Sequence, residues 1–173
     1  MPRVLILSGT WSFALGHDDP GIDELADDVI RRLIDTTVVS IAALHGEVTG
    51  AGLRLALACT LRVAAPATVL RVDEVVAGRV PEPDVLTALR ENLGVAGALE
   101  LAATARPLEV GEAVARGLVF AGTEADARDL AAAVIAAPDH AVRATVALLR
   151  RGSATRGTAG AEQIDAGGML NVR

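Results

Sequence analysis

The sequence contains no lysine and no tyrosine, and its only aromatic residues are Trp11, Phe13 and Phe120. Hydrophobic residues nonetheless make up 51% of the 173 residues, which is enough for one core of ordinary size. Because large rings are almost absent, that core has to be built from alanine, leucine, valine and isoleucine.

Cys59 is the only cysteine, so an internal disulfide bond is excluded. It lies among small apolar residues, and we expect it to pack as a small hydrophobe. Zinc-ligand spacing is absent, and the three histidines, His17, His45 and His140, are too scattered to indicate a metal site. The sequence therefore predicts no metal centre.

Long basic runs and long apolar runs are also absent. The net charge of −6 argues against a nucleic-acid partner. The apolar run near Met1 is too short for a signal peptide, and no stretch approaches the roughly 20 apolar residues that span a bilayer. We therefore expect a cytoplasmic protein that binds neither nucleic acid nor a membrane.

Apolar runs alternate with segments of helical periodicity, which predicts an α/β fold with right-handed crossovers. The predicted strands are 4–7, 38–44, 61–65 and 68–72, and 118–121 is a brief apolar segment. The predicted helices are 22–35, 51–60, 84–93, 95–105, 110–116, 124–136 and 139–151. From residue 152 onward, small residues follow one another with little periodicity. We therefore expect one domain over 1–151 and a loose tail over 152–173.

The predicted strand 38–44 leads into a Gly-x-Gly turn, Gly50-Ala51-Gly52, which opens an apolar helix. The first amides of a helix have no intrahelical partner and can stabilise a developing negative charge. Glycines let a bulky group approach the backbone closely. The turn therefore indicates an oxyanion or phosphate site. The same glycine pattern also occurs in tight strand-to-helix turns that bind no ligand.

Motifs on both sides of this turn resemble those of the crotonase superfamily, the enoyl-CoA hydratases and isomerases. They match the family pattern in one order over about residues 4–150. The matching residues are Phe13-Ala14-Leu15-Gly16-His17-Asp18, His45-Gly46, Gly50-Ala51-Gly52, Leu55-Ala56, Cys59, Arg62-Val63-Ala64, Glu74, Gly78 and Pro81. The resemblance implies a spiral of ββα units followed by a helical trimerisation region over about 94–151.

Members of this family usually carry further strands and a helix before the segment matched by residues 4–7. The resemblance therefore implies a short or N-terminally truncated member whose first spiral turn is incomplete. Missing strands expose the edges of a sheet, which an oligomer could cover. We accordingly expect a homotrimer or hexamer.

The resemblance also implies a site. In the family, two backbone N–H groups hold a thioester carbonyl and stabilise an enolate, and the matching donors are the amides of His17 and Ala51. Gly16 and Pro81, together with the glycines at 50 and 52, match substrate-binding positions. Coenzyme A is implied as part of an acyl-CoA substrate, with no separate cofactor.

Hydratases of the family use two glutamates, and the matching positions here hold Arg54 and Glu74. Two carboxylates suit the addition of water to a double bond, but Arg54 cannot accept a proton at neutral pH. Double-bond isomerisation needs only one carboxylate. The resemblance therefore favours an isomerase of fatty acid metabolism with Glu74 as acid and base.

Three alternatives remain open. Glu74 is also compatible with a surface turn carboxylate beside Asp73. The protein is also compatible with an atypical hydratase or lyase, or with a catalytically weak subunit that binds acyl-CoA or serves assembly. Moreover, Glu82 and Asp84 stand where the family has a glycine-rich segment. Their charges favour a helix N-terminus and would oppose an apolar acyl group, so we expect them to cap a helix.

Overall fold

The computed structural model describes residues 3–9 and 20–161, with the side chains of 3–9 and 24–150. The elements in chain order are β1 Val4–Ser8, α1 Pro20–Asp35, β2 Val39–Leu44, β3 Glu47–Val48, α2 Gly50–Ala58, β4 Leu61–Ala64, β5 Val69–Leu70, α3 Pro83–Thr104, β6 Leu108–Glu109, α4 Val110–Ala115, β7 Phe120–Ala121, α5 Glu124–Ala136 and α6 Asp139–Ala161. The predicted alternation of strands and helices is confirmed.

Two sheets organise these elements. The larger has the order β1-β2-β4-β7 and is parallel throughout. The smaller has the order β3-β5-β6, in which β3 and β5 are parallel and β5 and β6 antiparallel. The succession β2-β3-α2 is followed by β4-β5-α3, and each unit contributes its first strand to the larger sheet and its second to the smaller. This is the predicted succession of ββα units.

Strand β2 lies between β1 and β4, and all six of its residues are buried. Because successive side chains of a strand point to opposite faces, β2 contributes to two cores. Val39, Ile41 and Ala43 pack in the cluster that contains residues of α5 and α6. Ala42 and Leu44 pack in the cluster that contains residues of α2 and α3. The parallel sheet is thus covered by helices on both faces.

Of two helix boundaries predicted from the sequence, one agrees with the structure and the other does not. Gly94 has a non-helical φ of 72° and interrupts α3, which agrees with the predicted helices 84–93 and 95–105. Helix α6, however, continues to Ala161, so the predicted end of this helix at residue 151 is wrong. Once a helix has formed, each added residue gains one backbone hydrogen bond, so α6 extends through a segment of weak periodicity. Residues 162–173 lie outside the described part of the chain.

Among the described helices, no single one is long and apolar enough to cross a bilayer. Helix α5 and the part of α6 up to Arg150 reach that length and composition only together, as a pair bent by 111°. Ala127 and Ala131 of α5 are buried against the larger sheet.

The predicted site lies where parallel strands end. Strands β1 and β2 run in register, so their carboxyl ends meet at one edge, which is where open α/β sheets bind ligands. The Nε2 atom of His45, just after β2, lies 2.7 Å from the carbonyl oxygen of Gly9, just after β1. Ala26 and Ile30 of α1 pack against Ala51 at the start of α2. Gly9 and His45 are thereby joined at the same edge of the sheet.

Candidate active site

The turn before α2 exposes a backbone amide to a cavity. Gly50 has a φ of 53°, a left-handed conformation that glycine adopts without strain. The first hydrogen bond of the helix runs from the amide of Leu53 to the carbonyl of Thr49, at 3.1 Å. The Ala51 amide donates to no backbone carbonyl among the described residues, as expected for the first turn of a helix. An oxyanion-hole donor must likewise lack such a bond, and the binding of a ligand by the Ala51 amide stays a prediction.

The second amide of the predicted oxyanion hole belongs to His17, which lies outside the described residues together with Gly16. The distance between the amides of His17 and Ala51 therefore stays a prediction.

Glu74 is held in a tight turn after β5. Its carbonyl oxygen accepts hydrogen bonds from the amides of Ala77, at 3.0 Å, and Arg79, at 2.9 Å. Gly78 completes the turn with a φ of 69°, where a larger side chain would be strained. The residue is only 4% exposed, which excludes the alternative of a solvated surface carboxylate.

One open cavity of about 160 Å³ brings the Ala51 turn and the Glu74 turn together. The described residues that line it are Asp27, Ala51, Arg54, Glu74, Arg79, Val80 and Glu82. Five of these seven residues are charged, with three carboxylates and two guanidinium groups. Sequence reasoning missed Asp27 and Arg79 as lining residues. Charged residues on an amphipathic helix or in a turn usually face solvent, and the sequence does not distinguish those that line a cavity.

Arg54 contributes its side chain to the cavity and is held on two sides. Its Nη2 atom donates to Oδ2 of Asp84 at 2.9 Å, and its Nη1 atom lies 2.8 Å from Oδ1 of Asp27. Desolvation lowers the pKa of Arg54, but the hydrogen bonds and charges of Asp84 and Asp27 outweigh it and raise the pKa above its ordinary value. Arg54 therefore stays a cation and cannot act as a base.

The two acidic residues near the start of α3 behave differently from each other. Glu82 is the N-cap residue, but its side chain makes no capping hydrogen bond and instead lines the cavity. Asp84 accepts a hydrogen bond from the Val85 amide at 2.8 Å while it also binds Arg54. The expected capping role is therefore right for Asp84 and wrong for Glu82.

The other described residues that were predicted to bind substrate are buried next to residues that line the cavity. Gly50, Gly52 and Pro81 are buried, and each is adjacent in sequence to a lining residue, Ala51, Val80 or Glu82. They are not among the lining residues themselves. Their direct contact with a substrate stays a prediction.

Within the described ranges, no three His, Cys, Asp or Glu side chains are grouped so that they could hold a metal ion. What the site does offer is one buried carboxylate, one unoccupied helix-terminal amide and a neutralised guanidinium. A carboxylate can move a proton, and an amide can stabilise an oxyanion.

Comparison with known proteins places this arrangement in a family. A family model described as enoyl-CoA hydratase/isomerase matches residues 15–167, which is most of the chain. The chain belongs to the enoyl-CoA hydratase/isomerase family, and the predicted crotonase-like fold is confirmed.

Individual relatives agree with this assignment. A protein of Bacillus subtilis named "Probable enoyl-CoA hydratase" is 34% identical over 113 residues, which are 65% of this chain and 44% of that protein. An enoyl-CoA hydratase subunit I from Geobacillus kaustophilus has a crystal structure with a TM-score of 0.77 and 28% identity, covering 87% of this chain and 65% of that one. A Thermobifida fusca protein described as an enoyl-CoA hydratase, in complex with CoA, has a TM-score of 0.72 and 25% identity, covering 95% of this chain and 78% of that one. The chain thus spans less than half the length of the Bacillus relative.

Proposed function

We propose that the protein isomerises the double bond of an enoyl-CoA thioester, with Glu74 as the single acid and base. The observation that carries the proposal is that Glu74 and Ala51 line one cavity, while Arg54 stands where a hydratase would have its second carboxylate. Family membership and a relative that binds CoA support an acyl-CoA thioester as the substrate. Coenzyme A enters as part of that substrate, and no other cofactor is required.

The proposed reaction starts from a 3-enoyl thioester. The Glu74 carboxylate removes a proton from C2, and the electron pair of the broken C–H bond delocalises onto the thioester oxygen as a dienolate. The Ala51 amide donates a hydrogen bond to that oxygen, together with the predicted second donor at His17, and such donors stabilise an oxyanion by a few kcal/mol each. Protonated Glu74 then returns the proton to C4, so that the double bond ends between C2 and C3.

Hydration requires a second catalytic carboxylate at the position where this chain has Arg54. A water molecule has to be deprotonated as it attacks C3 while a proton reaches C2, and two carboxylates share that work in the family's hydratases. Arg54 is positively charged and bonded to Asp84 and Asp27, so it can neither accept a proton nor turn aside without breaking both ion pairs. A single carboxylate is sufficient for isomerisation.

The proposal is tested by comparing two substrates. Purified protein should convert a 3-enoyl-CoA to its 2-enoyl isomer faster than it hydrates a 2-enoyl-CoA. Glu74→Gln keeps the shape of the side chain but removes the proton carrier, so the isomerisation rate should fall by about 10²–10⁴-fold while thioester binding stays nearly intact. Glu109→Gln is the matched control, because Glu109 is an exposed carboxylate outside the cavity, and it should leave the rate unchanged.

Three outcomes distinguish the possibilities. Faster hydration than isomerisation by the native protein, or an unchanged rate in Glu74→Gln, would contradict the proposal. Binding of acyl-CoA without turnover would favour the second candidate, a catalytically weak subunit that binds acyl-CoA or serves assembly. The ion pairs of Arg54 favour that candidate, because they remove one of the two catalytic positions of a hydratase.

A further inference from the structure

The cavity that contains Glu74 is poorly suited to an aliphatic chain. Of its described lining residues, only Ala51 and Val80 are apolar. Methylene groups gain free energy when they leave water for an apolar surrounding. Methylenes placed against the carboxylates and guanidinium groups of this lining would instead displace the water that solvates those charges, which is costly.

The cavity is also small. Its volume of about 160 Å³ lies below the roughly 300–1,000 Å³ of pockets that enclose drug-sized ligands. The described walls therefore have room for a short acyl group next to Glu74 but not for a long one.

The charges of the lining disfavour an anionic acyl group as well. Three carboxylates, those of Asp27, Glu74 and Glu82, face two guanidinium groups, and Arg54 is already bonded to Asp27 and Asp84. The remaining lining cation, Arg79, and the lining carboxylate of Glu82 are both exposed, so solvent and salt weaken the two charges alike. A carboxylate on the acyl group would meet an excess of negative charge.

We infer that this cavity selects a short acyl group with an uncharged polar substituent, such as a hydroxyl, and that Glu82 is the residue that sets this selectivity. The inference depends on the proposed function only in taking the ligand to be an acyl-CoA. A hydroxyl both donates and accepts hydrogen bonds, so it can donate to a lining carboxylate or accept from a lining guanidinium. Glu82 is suited to this role because it is an exposed lining residue whose side chain makes no capping hydrogen bond.

The test measures dissociation constants by calorimetry for four saturated thioesters, which bind without reacting: butyryl-CoA, 4-hydroxybutyryl-CoA, decanoyl-CoA and glutaryl-CoA. We expect 4-hydroxybutyryl-CoA to bind about fivefold more tightly than butyryl-CoA, the ratio that one net hydrogen bond gives. Decanoyl-CoA should bind no more tightly than butyryl-CoA, and glutaryl-CoA should bind more weakly. Because all four ligands share coenzyme A, these differences report on the acyl group alone.

Variants of Glu82 test the assignment of selectivity. Glu82→Leu should remove the preference for the hydroxyl, so that 4-hydroxybutyryl-CoA binds no more tightly than butyryl-CoA. Glu109→Leu replaces an exposed carboxylate outside the cavity with the same side chain and should preserve the native order.

The outcomes separate this inference from the proposed function. Tightest binding of decanoyl-CoA or glutaryl-CoA to the native protein would overturn the selectivity while leaving an acyl-CoA ligand in place. An unchanged order in Glu82→Leu would overturn the role of Glu82. Failure of all four thioesters to bind would overturn both the inference and the proposed function.

Discussion

The Nη2 atom of Arg54 lies 2.9 Å from Oδ2 of Asp84, which joins the second helix of the fold to the third beside the candidate site. Asp27 on α1 binds the same guanidinium through Nη1. The Arg54 side chain is only 14% exposed, so these two carboxylates supply the negative charge that its partial burial demands. Arg54 therefore holds three helices together at the cavity.

Arg54→Glu should destabilise the protein. The substitution would put a third carboxylate between Asp27 and Asp84, so repulsion would replace two ion pairs. We expect a loss of about 2 kcal/mol in the free energy of unfolding, moderated by the exposure of Asp27, which lowers Tm by about 4–8 °C. Arg54→Met is the matched control, since it removes the cation without adding a negative charge, and it should cost less. A thermal melt of Arg54→Glu that matches the native one would contradict this account.

Hydratase activity should return only when the two partners are also changed. Combining Arg54→Glu with Asp27→Asn and Asp84→Asn relieves the repulsion and places a carboxylate at the position of the hydratases' other catalytic glutamate. We expect this triple variant to hydrate a 2-enoyl-CoA faster than the native protein or Arg54→Glu does, as measured by the loss of the conjugated thioester. Equal hydration rates in all three proteins would show that Arg54 does not limit this reaction.

These ion pairs illustrate why the site was only partly predictable from sequence. Motif spacing pointed to Glu74 and to the Ala51 amide, and both line the cavity. The partners of Arg54 lie on two other helices, and nothing in the local sequence distinguishes Asp27 from the other charges of an amphipathic helix. Local patterns report the surroundings of a residue along the chain, whereas this contact depends on how three helices pack.

The difference between local pattern and tertiary packing also explains which parts of the core could be predicted from the sequence. Strand β2 was predictable because its run of apolar residues is typical of a strand buried on both faces. Leu101 and Leu118 lie in the region over about 94–151 that the family resemblance implies for trimerisation, but both are buried in the protein's own core. Apolar residues at helical spacing show that a face is covered, but not whether the same chain or another copy covers it.

Cys59 should be unreactive in the folded protein. Burial raises the pKa of its thiol to about 11, against the smaller opposing effects of Ser40, Arg62 and Arg150. The thiolate is the reactive form, so at neutral pH a thiol reagent such as DTNB should label the folded protein very slowly. Protein unfolded in urea is the control and should react at once with one equivalent. Complete labelling of the folded protein at the rate of the unfolded protein would contradict the burial of Cys59.

Trimer formation, expected from the family resemblance, should depend on exposed apolar residues of the second half of α3. Val95 is 68% exposed and Leu99 is 64% exposed, and they lie one helical turn apart. We expect light scattering to give the mass of a trimer, and Leu99→Glu to shift it toward the monomer. Leu25→Glu, at a similarly exposed leucine before residue 94, is the control and should leave the trimer intact. A native protein that is monomeric at micromolar concentration would contradict the prediction.

Four side chains near α4 form a closed set of ion pairs. Arg106 binds both Glu100 and Glu112, with Nη1 2.8 Å from Oε2 of Glu112. Arg116 binds the same two carboxylates. These contacts join the end of α3 to α4 at the surface. The pKa values of Glu100 and Glu112 lie below the ordinary value, chiefly because both accept side-chain hydrogen bonds from Arg106.

This set of ion pairs should make stability depend on pH in the acid range. A carboxylate whose pKa is lowered by folding stabilises the folded state above its unfolded pKa, about 4.3 for glutamate, and loses that effect as the pH falls through the folded value. Urea unfolding should therefore show Arg106→Met to be less stable than the native protein at about pH 6–7, with the difference shrinking below about pH 4.5. Arg90→Met is the matched control, because Arg90 is exposed and makes no ion pair within the described part of the chain, and it should show no such trend. If Arg106→Met were destabilised equally at neutral and acid pH, its effect would come from lost packing of the arginine side chain and not from its charge.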